Sequence, residues 1–167
     1  MNGSLLSLAL EWQDRRGWAS AEVGNLLAAA RLQHQAQDAA GSLVQILYGQ
    51  CLHLLARRQP NMAYEVAQSL WQINQLPNQS HWRAELHLLL GTVLLDLGKA
   101  QLARSHFQRG LSTSATTNAT PLIRFLPFDL TPLLHFGAAV AASALDDDAV
   151  AHLHLAQATA FLDRQRA

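Results

Sequence analysis

Eight histidines, a single cysteine and a run of three aspartates are the residues of this chain whose types could do catalysis or bind a metal. Imidazole is the commonest metal ligand and a general base near neutral pH, so the histidines are tested first. His152 and His154 stand two apart, and in a helix that spacing points them to different faces, so they cannot share an ion. His87, His106 and His135 fall beside small or aromatic residues at helical spacing, where packing or capping is expected rather than ligation. Asp146, Asp147 and Asp148 precede a helical pattern, and carboxylates there serve capping and the helix dipole. Cys51 lies on an apolar helical face with Arg57 and Arg58 more than a turn away, which predicts an inert core thiol. The sequence holds no Gly-rich phosphate loop, no G-x-S-x-G elbow and no H-E-x-x-H. The expectation is a protein without enzyme activity, metal or cofactor.

Composition narrows the partners. The 167 residues fit one domain spanning 1–167. Half are hydrophobic and 14% charged, with 12 Lys plus Arg against 12 Asp plus Glu. That balance, with Lys99 the only lysine and the arginines scattered, offers no basic face for nucleic acid. One cysteine excludes an internal disulfide and fits a reducing compartment, so a cytoplasmic location is expected. The segment MNGSLLSLALEWQDRR lacks the basic start and long apolar core of a signal peptide. The apolar run from Leu133 to Leu145 is interrupted by His135 and falls short of the roughly 20 residues that span a bilayer. No membrane insertion is expected. So few charges suggest that a protein partner or a second copy, making a homo-oligomer, covers some apolar surface.

The elements that must position these residues are helices. Trp82, Leu86, Leu89, Leu90, Val93, Leu94 and Leu97 recur at three to four residues, and no stretch alternates as a half-buried strand would. Breakers at Gly17, Pro60, Pro77, Gly98, the run from Ser112 and Leu145 divide an all-α chain into about eight helices. Ser80 and Thr131 read as N-caps, the latter followed by Pro132 at the first helical position. Trp12, Trp18, Trp71 and Trp82 stand near helix ends, where an indole seals the gap between neighbours. Four helix pairs result, over about 4–34, 38–76, 80–113 and 121–165. Gly91 stands in mid-helix at a cost of about 1 kcal/mol relative to Ala, which points to close approach of a second helix.

Offsets from the glycines carry a resemblance. Gly91 is followed by Leu94, Gly98, Ala103, Phe107 and Gly110, and Gly137 by Val140, Ala149, Leu153 and Ala156 at matching offsets, while Gly49 is followed by Leu52, Ala63 and Ala67 after a longer turn. This pattern resembles the tetratricopeptide repeat, although the intervals of 42 and 46 residues between these glycines exceed the repeat's roughly 34. The Gly137 unit also has Ala144 where the turn Gly would stand. Long, degenerate units are similar to helical-repeat domains of bacterial regulators and secretion chaperones. The resemblance implies a right-handed α-solenoid in which the small residues let paired helices approach while Leu94, Phe107, Val140 and Leu153 fill the space beside them.

It also implies a concave groove lined by the first helix of each unit: Leu43, Ile46, Gln50 and His53; Glu85, Leu88, Thr92, Leu95 and Asp96; Thr131, Leu134 and Ala138. None is Lys, Arg or Asn, so a clamp for a terminal carboxylate is disfavoured, and an apolar peptide or helix fits better. The stretch PLIRFLPFDLTP, broken by three prolines, could fold over the groove with Phe125 and Phe128 as anchors, or serve as a plain connection. The function expected is an adaptor or assembly chaperone, with a sensor module taking a small ligand or peptide signal as the alternative.

Overall fold

The computed structural model describes residues 5–35, 40–75, 83–114, 126–127 and 129–166. Among the described residues eight helices run α1 (Leu5–Arg16), α2 (Ala21–Gln35), α3 (Ala40–Ala56), α4 (Pro60–Asn74), α5 (Arg83–Asp96), α6 (Ala100–Ser114), α7 (Thr131–Ser143) and α8 (Asp148–Arg166). Consecutive helices form four hairpins, and each hairpin packs on the next, so the fold is an all-α stack of helix pairs with no strand among the described residues.

One turn closes three of the four hairpins. After α5, the N–H of Gly98 donates to Leu95 O and that of Lys99 to Leu94 O, at 2.9 and 2.8 Å. After α3, Arg58 donates to Leu55 O and Gln59 to Leu54 O; after α7, Asp146 donates to Ser143 O and Asp147 to Ala142 O. These are Schellman motifs, each built on a residue in the left-handed region: Arg58 at φ 58°, Gly98 at 71° and Asp146 at 57°. Five residues after each comes a buried alanine, Ala63, Ala103 and Ala151. The turn residue therefore sets the register shared by the hairpins.

That register corrects the spacing taken from Gly137. In the third hairpin Gly91, Leu94, Ala103, Phe107 and Gly110 are buried as expected. In the fourth, Ala149 and Ala156 are exposed, and Val140 and Leu153 are 41% and 56% exposed; Ala151 and Ala158 are buried instead. Gly137 stands nine residues before its left-handed turn residue and Gly91 seven, so spacing counted from the glycines misplaces the inward face of α8 by two residues. Gly137 keeps a packing role of another kind. A side chain at Gly91 would meet the Phe107 ring at 2.6 Å, and one at Gly137 would strike the same ring carbons. One ring of α6 thus lies close against a glycine of its own hairpin and a glycine of the next. A buried Phe contributes about 1.5–3 kcal/mol, which outweighs the helix propensity lost at either glycine.

The core lies in three clusters, around Ala9, Val23 and Leu27, around Val44 to Val93 across α3, α4 and α5, and around Phe107, Leu134 and Ala138 between α5, α6 and α7. Trp12 and Trp18 pack on the first and Trp71 on the second; Trp82, Ser80, Phe125 and Phe128 lie outside the described residues. Thr131 is the first residue of α7 and not its cap, since the cap position falls on Leu130; Asp129 Oδ1 accepts from the Thr131 N–H at 2.8 Å. Asp147 does cap α8, accepting from the Val150 N–H at 3.4 Å.

Candidate functional site

The first helices of hairpins two, three and four, α3, α5 and α7, share one face, and equivalent residues of each line a pocket of about 350 Å³. Ten residues before each left-handed turn residue stand Tyr48, Leu88 and Phe136; six before it stand Leu52, Thr92 and Val140. All six line the pocket, with Leu89, Leu95, Phe107, Leu126, Leu133 and Gly137 completing it. Leu133, Phe136 and Val140 succeed one another at helical spacing on α7 and are 40%, 56% and 41% exposed.

The hydroxyl donors of this lining are already committed. The Tyr48 hydroxyl donates to Glu85 O at 2.9 Å, and burial raises its pKa well above the ordinary phenol value, so the ring stays neutral. Thr92 Oγ1 donates to Leu88 O at 2.8 Å, one turn back in its own helix. The lining contains no charged side chain. What it can do chemically is remove an apolar surface from water.

The expected groove residues divide between several places. Leu88, Thr92 and Leu95 line the pocket. Gln50 and His53 line a separate polar cleft of about 420 Å³ between α2, α3 and α4, with Asn25, Arg31, Arg57 and Gln59. There the His53 Nδ1–H donates to the Trp18 carbonyl. Ile46, Glu85, Leu134 and Ala138 are buried between helices and Leu43 packs half-buried on the core, so none of these presents a groove surface. Asp96 is exposed at the end of α5, away from the pocket lining, and Thr131 opens α7 outside it too. On α7 the assignment of Thr131, Leu134 and Ala138 falls about two residues from Leu133, Phe136 and Val140, and two residues is roughly 200° of helix rotation. Counting back from Asp146 instead of aligning on Gly137 finds the lining residues.

The titratable groups singled out for chemistry are held in structure. Cys51 Sγ donates to Ala63 O at 3.3 Å, and burial pushes its thiol up to about 12, the opposite of an activated nucleophile. His87 meets His106, and His135 meets His154, at Nδ1···Nδ1 distances of 3.0 and 2.9 Å. His152 instead donates to Asp148 O in its own helix. No group of three or more His, Cys, Asp or Glu is placed to hold a metal among the described residues. No described helix is long and apolar enough to cross a membrane.

The fold and this face define a stack of helical hairpins with an apolar pocket on the side of its first helices. Comparison of the chain with family models, curated proteins and solved structures finds no match.

Proposed function

We propose that this chain is a non-catalytic scaffold of the tetratricopeptide type that binds an apolar segment of a protein partner against α3, α5 and α7, as an adaptor or assembly factor. The observation that carries this reading is the recurrence of lining residues at one register in three hairpins: Tyr48, Leu88 and Phe136, then Leu52, Thr92 and Val140. A face used three times over offers a continuous strip, which suits an extended occupant such as a helix laid along it. The two hydroxyl donors of the strip are committed to Glu85 O and Leu88 O, so the strip offers few partners to an occupant's backbone, and a helix, whose backbone bonds are internal, is the favoured form.

The test is affinity purification of the tagged chain beside the Phe136→Asp and Leu88→Asp variants, with circular dichroism of each. A partner retained at stoichiometric level by the parent should bind at least about tenfold more weakly to Phe136→Asp, because a charge would be buried against it. Equal retention by both variants at unchanged helicity would remove the pocket from the interface. A second reading, a sensor taking a small apolar ligand, has the pocket volume in its favour, since 350 Å³ lies within the usual range of small-molecule sites. It predicts a monodisperse protein whose unfolding temperature rises with the ligand and which retains no chain.

A further inference from the structure

Two imidazole pairs stand at the same two positions of successive hairpins. His87 and His135 are eleven residues before the left-handed turn residue of their hairpin, and His106 and His154 are eight after it. Each pair joins the first helix to the second, α5 to α6 and α7 to α8. The second hairpin has Leu47 and Val66 at these positions, both packed in its apolar cluster. Two Nδ1 atoms 3.0 or 2.9 Å apart make a direct hydrogen bond only when one ring carries its proton on Nδ1 and the other offers the Nδ1 lone pair.

We propose that the two pairs are a duplicated acid-operated clasp, closing the third and fourth hairpins while at least one Nδ1 of each pair is unprotonated and releasing them when both rings are charged. The proton count gives two stages. A first proton goes to the Nε2 of the donor ring, and the Nδ1–H···Nδ1 bond survives, now strengthened by charge. A second proton must take the acceptor's Nδ1; no lone pair then remains between the rings, and two cations face each other at hydrogen-bond distance.

The surroundings oppose that second charge. Around His87 and His106 stand Arg83 on α5 and Arg109 on α6; from α4 the neighbour is the Trp71 ring, 5.8 and 6.1 Å away, and from α7 it is Leu134, which reaches the adjoining Gly110. Beside His135 and His154 the charged neighbour is Arg104 on α6, itself paired with Asp147 at 3.1 Å. Desolvation foremost lowers all four imidazole pKa values from the ordinary one, His87 to about 4; the facing imidazole adds to it at His87 and His135, and the arginines at His87, His106 and His154. Because α5 and α7 also form the pocket walls, release of the clasps would reshape the same face.

Nitrogen-15 NMR of the imidazole rings in the full chain at pH 7.5 tests the bond directly. One Nδ1–H and one Nε2–H tautomer in each pair are expected, with His53 and His152 as Nδ1–H references. Two Nε2–H rings in a pair would overturn the clasp, because that arrangement points both lone pairs at a common site, as a bound metal would require. Hydrogen exchange, corrected for intrinsic rate, reads the consequence between pH 7 and about pH 4: protection in α5–α8 should fall at least about tenfold further than in α3–α4. The double variant His87→Leu with His106→Val, copying the second hairpin, should keep α5–α6 protected in acid and leave α7–α8 sensitive. Equal loss in all hairpins, or loss in the variant's α5–α6 matching the parent's, would overturn the proposal. If the variant does not fold, the tautomers of the parent protein decide alone.

Discussion

The third and fourth hairpins share a turn geometry and an imidazole pair, yet equivalent positions in them have opposite fates. Phe107, nine residues after Gly98, is 1% exposed; Leu155, nine after Asp146, is 41% exposed. The difference comes from the neighbouring helix: α7 packs over α6 and supplies Gly137 against the ring, whereas no described helix comes after α8. Burial in this stack is thus contributed by the adjacent hairpin as much as by the residue's own. Apolar side chains on the last helix, Leu153, Leu155 and Leu162, stay more than two-fifths exposed for the same reason.

The sharpest way to break this comparison is truncation at the two equivalent places. Phe107→Ala should destabilise the chain by about 3–5 kcal/mol in urea denaturation, and Leu155→Ala by less than about 1 kcal/mol. Similar costs would mean that the shared position, not the neighbour, sets the energy. Next comes pH. A histidine whose folded pKa is depressed binds fewer protons than its unfolded counterpart, so its contribution is complete above about pH 6.5 and is lost as the pH falls toward the folded value. For His87 that window runs from about 6.5 down to about 4. The double variant His87→Leu with His106→Val should flatten the acid arm of stability against pH more than the matching change at His135 and His154, which are less buried. A smaller effect tests the turns. Gly98→Ala should cost about 1 kcal/mol and Asp146→Gly should stabilise by a similar amount, since only glycine holds a left-handed backbone without steric strain. The smallest is Asp147→Asn, which keeps the α8 cap but removes the charge facing Arg104; less than about 1 kcal/mol is expected in thermal unfolding.

Much of the architecture is legible in the chain because helical periodicity and turn breakers are local signals. Gly98 announces its turn, since a glycine just after a periodic run is the usual left-handed terminator. Arg58 and Asp146 take the same backbone conformation without glycine, so nothing in their residue types reveals the register they share with it. Aligning the fourth unit on Gly137 is the consequence, and it places Ala149 and Ala156 inward when they face solvent. The pocket divides in the same way: Leu88, Thr92 and Leu95 are legible on α5, where the register is right, and Leu133, Phe136 and Val140 are not on α7, where it is wrong. The imidazole pairs are beyond reach for another reason. Residues nineteen apart meet only after two helices fold back on each other, and no spacing within one helix announces it.

The phenyl ring packed against two glycines has a mechanical consequence. A side chain wedged between successive hairpins acts as a shared bolt: neither hairpin can peel away without exposing it, so the two halves of the joint should melt in one step. Pulled from its C-terminal end, this molecule would be expected to yield the last two hairpins together, as one rupture event instead of two.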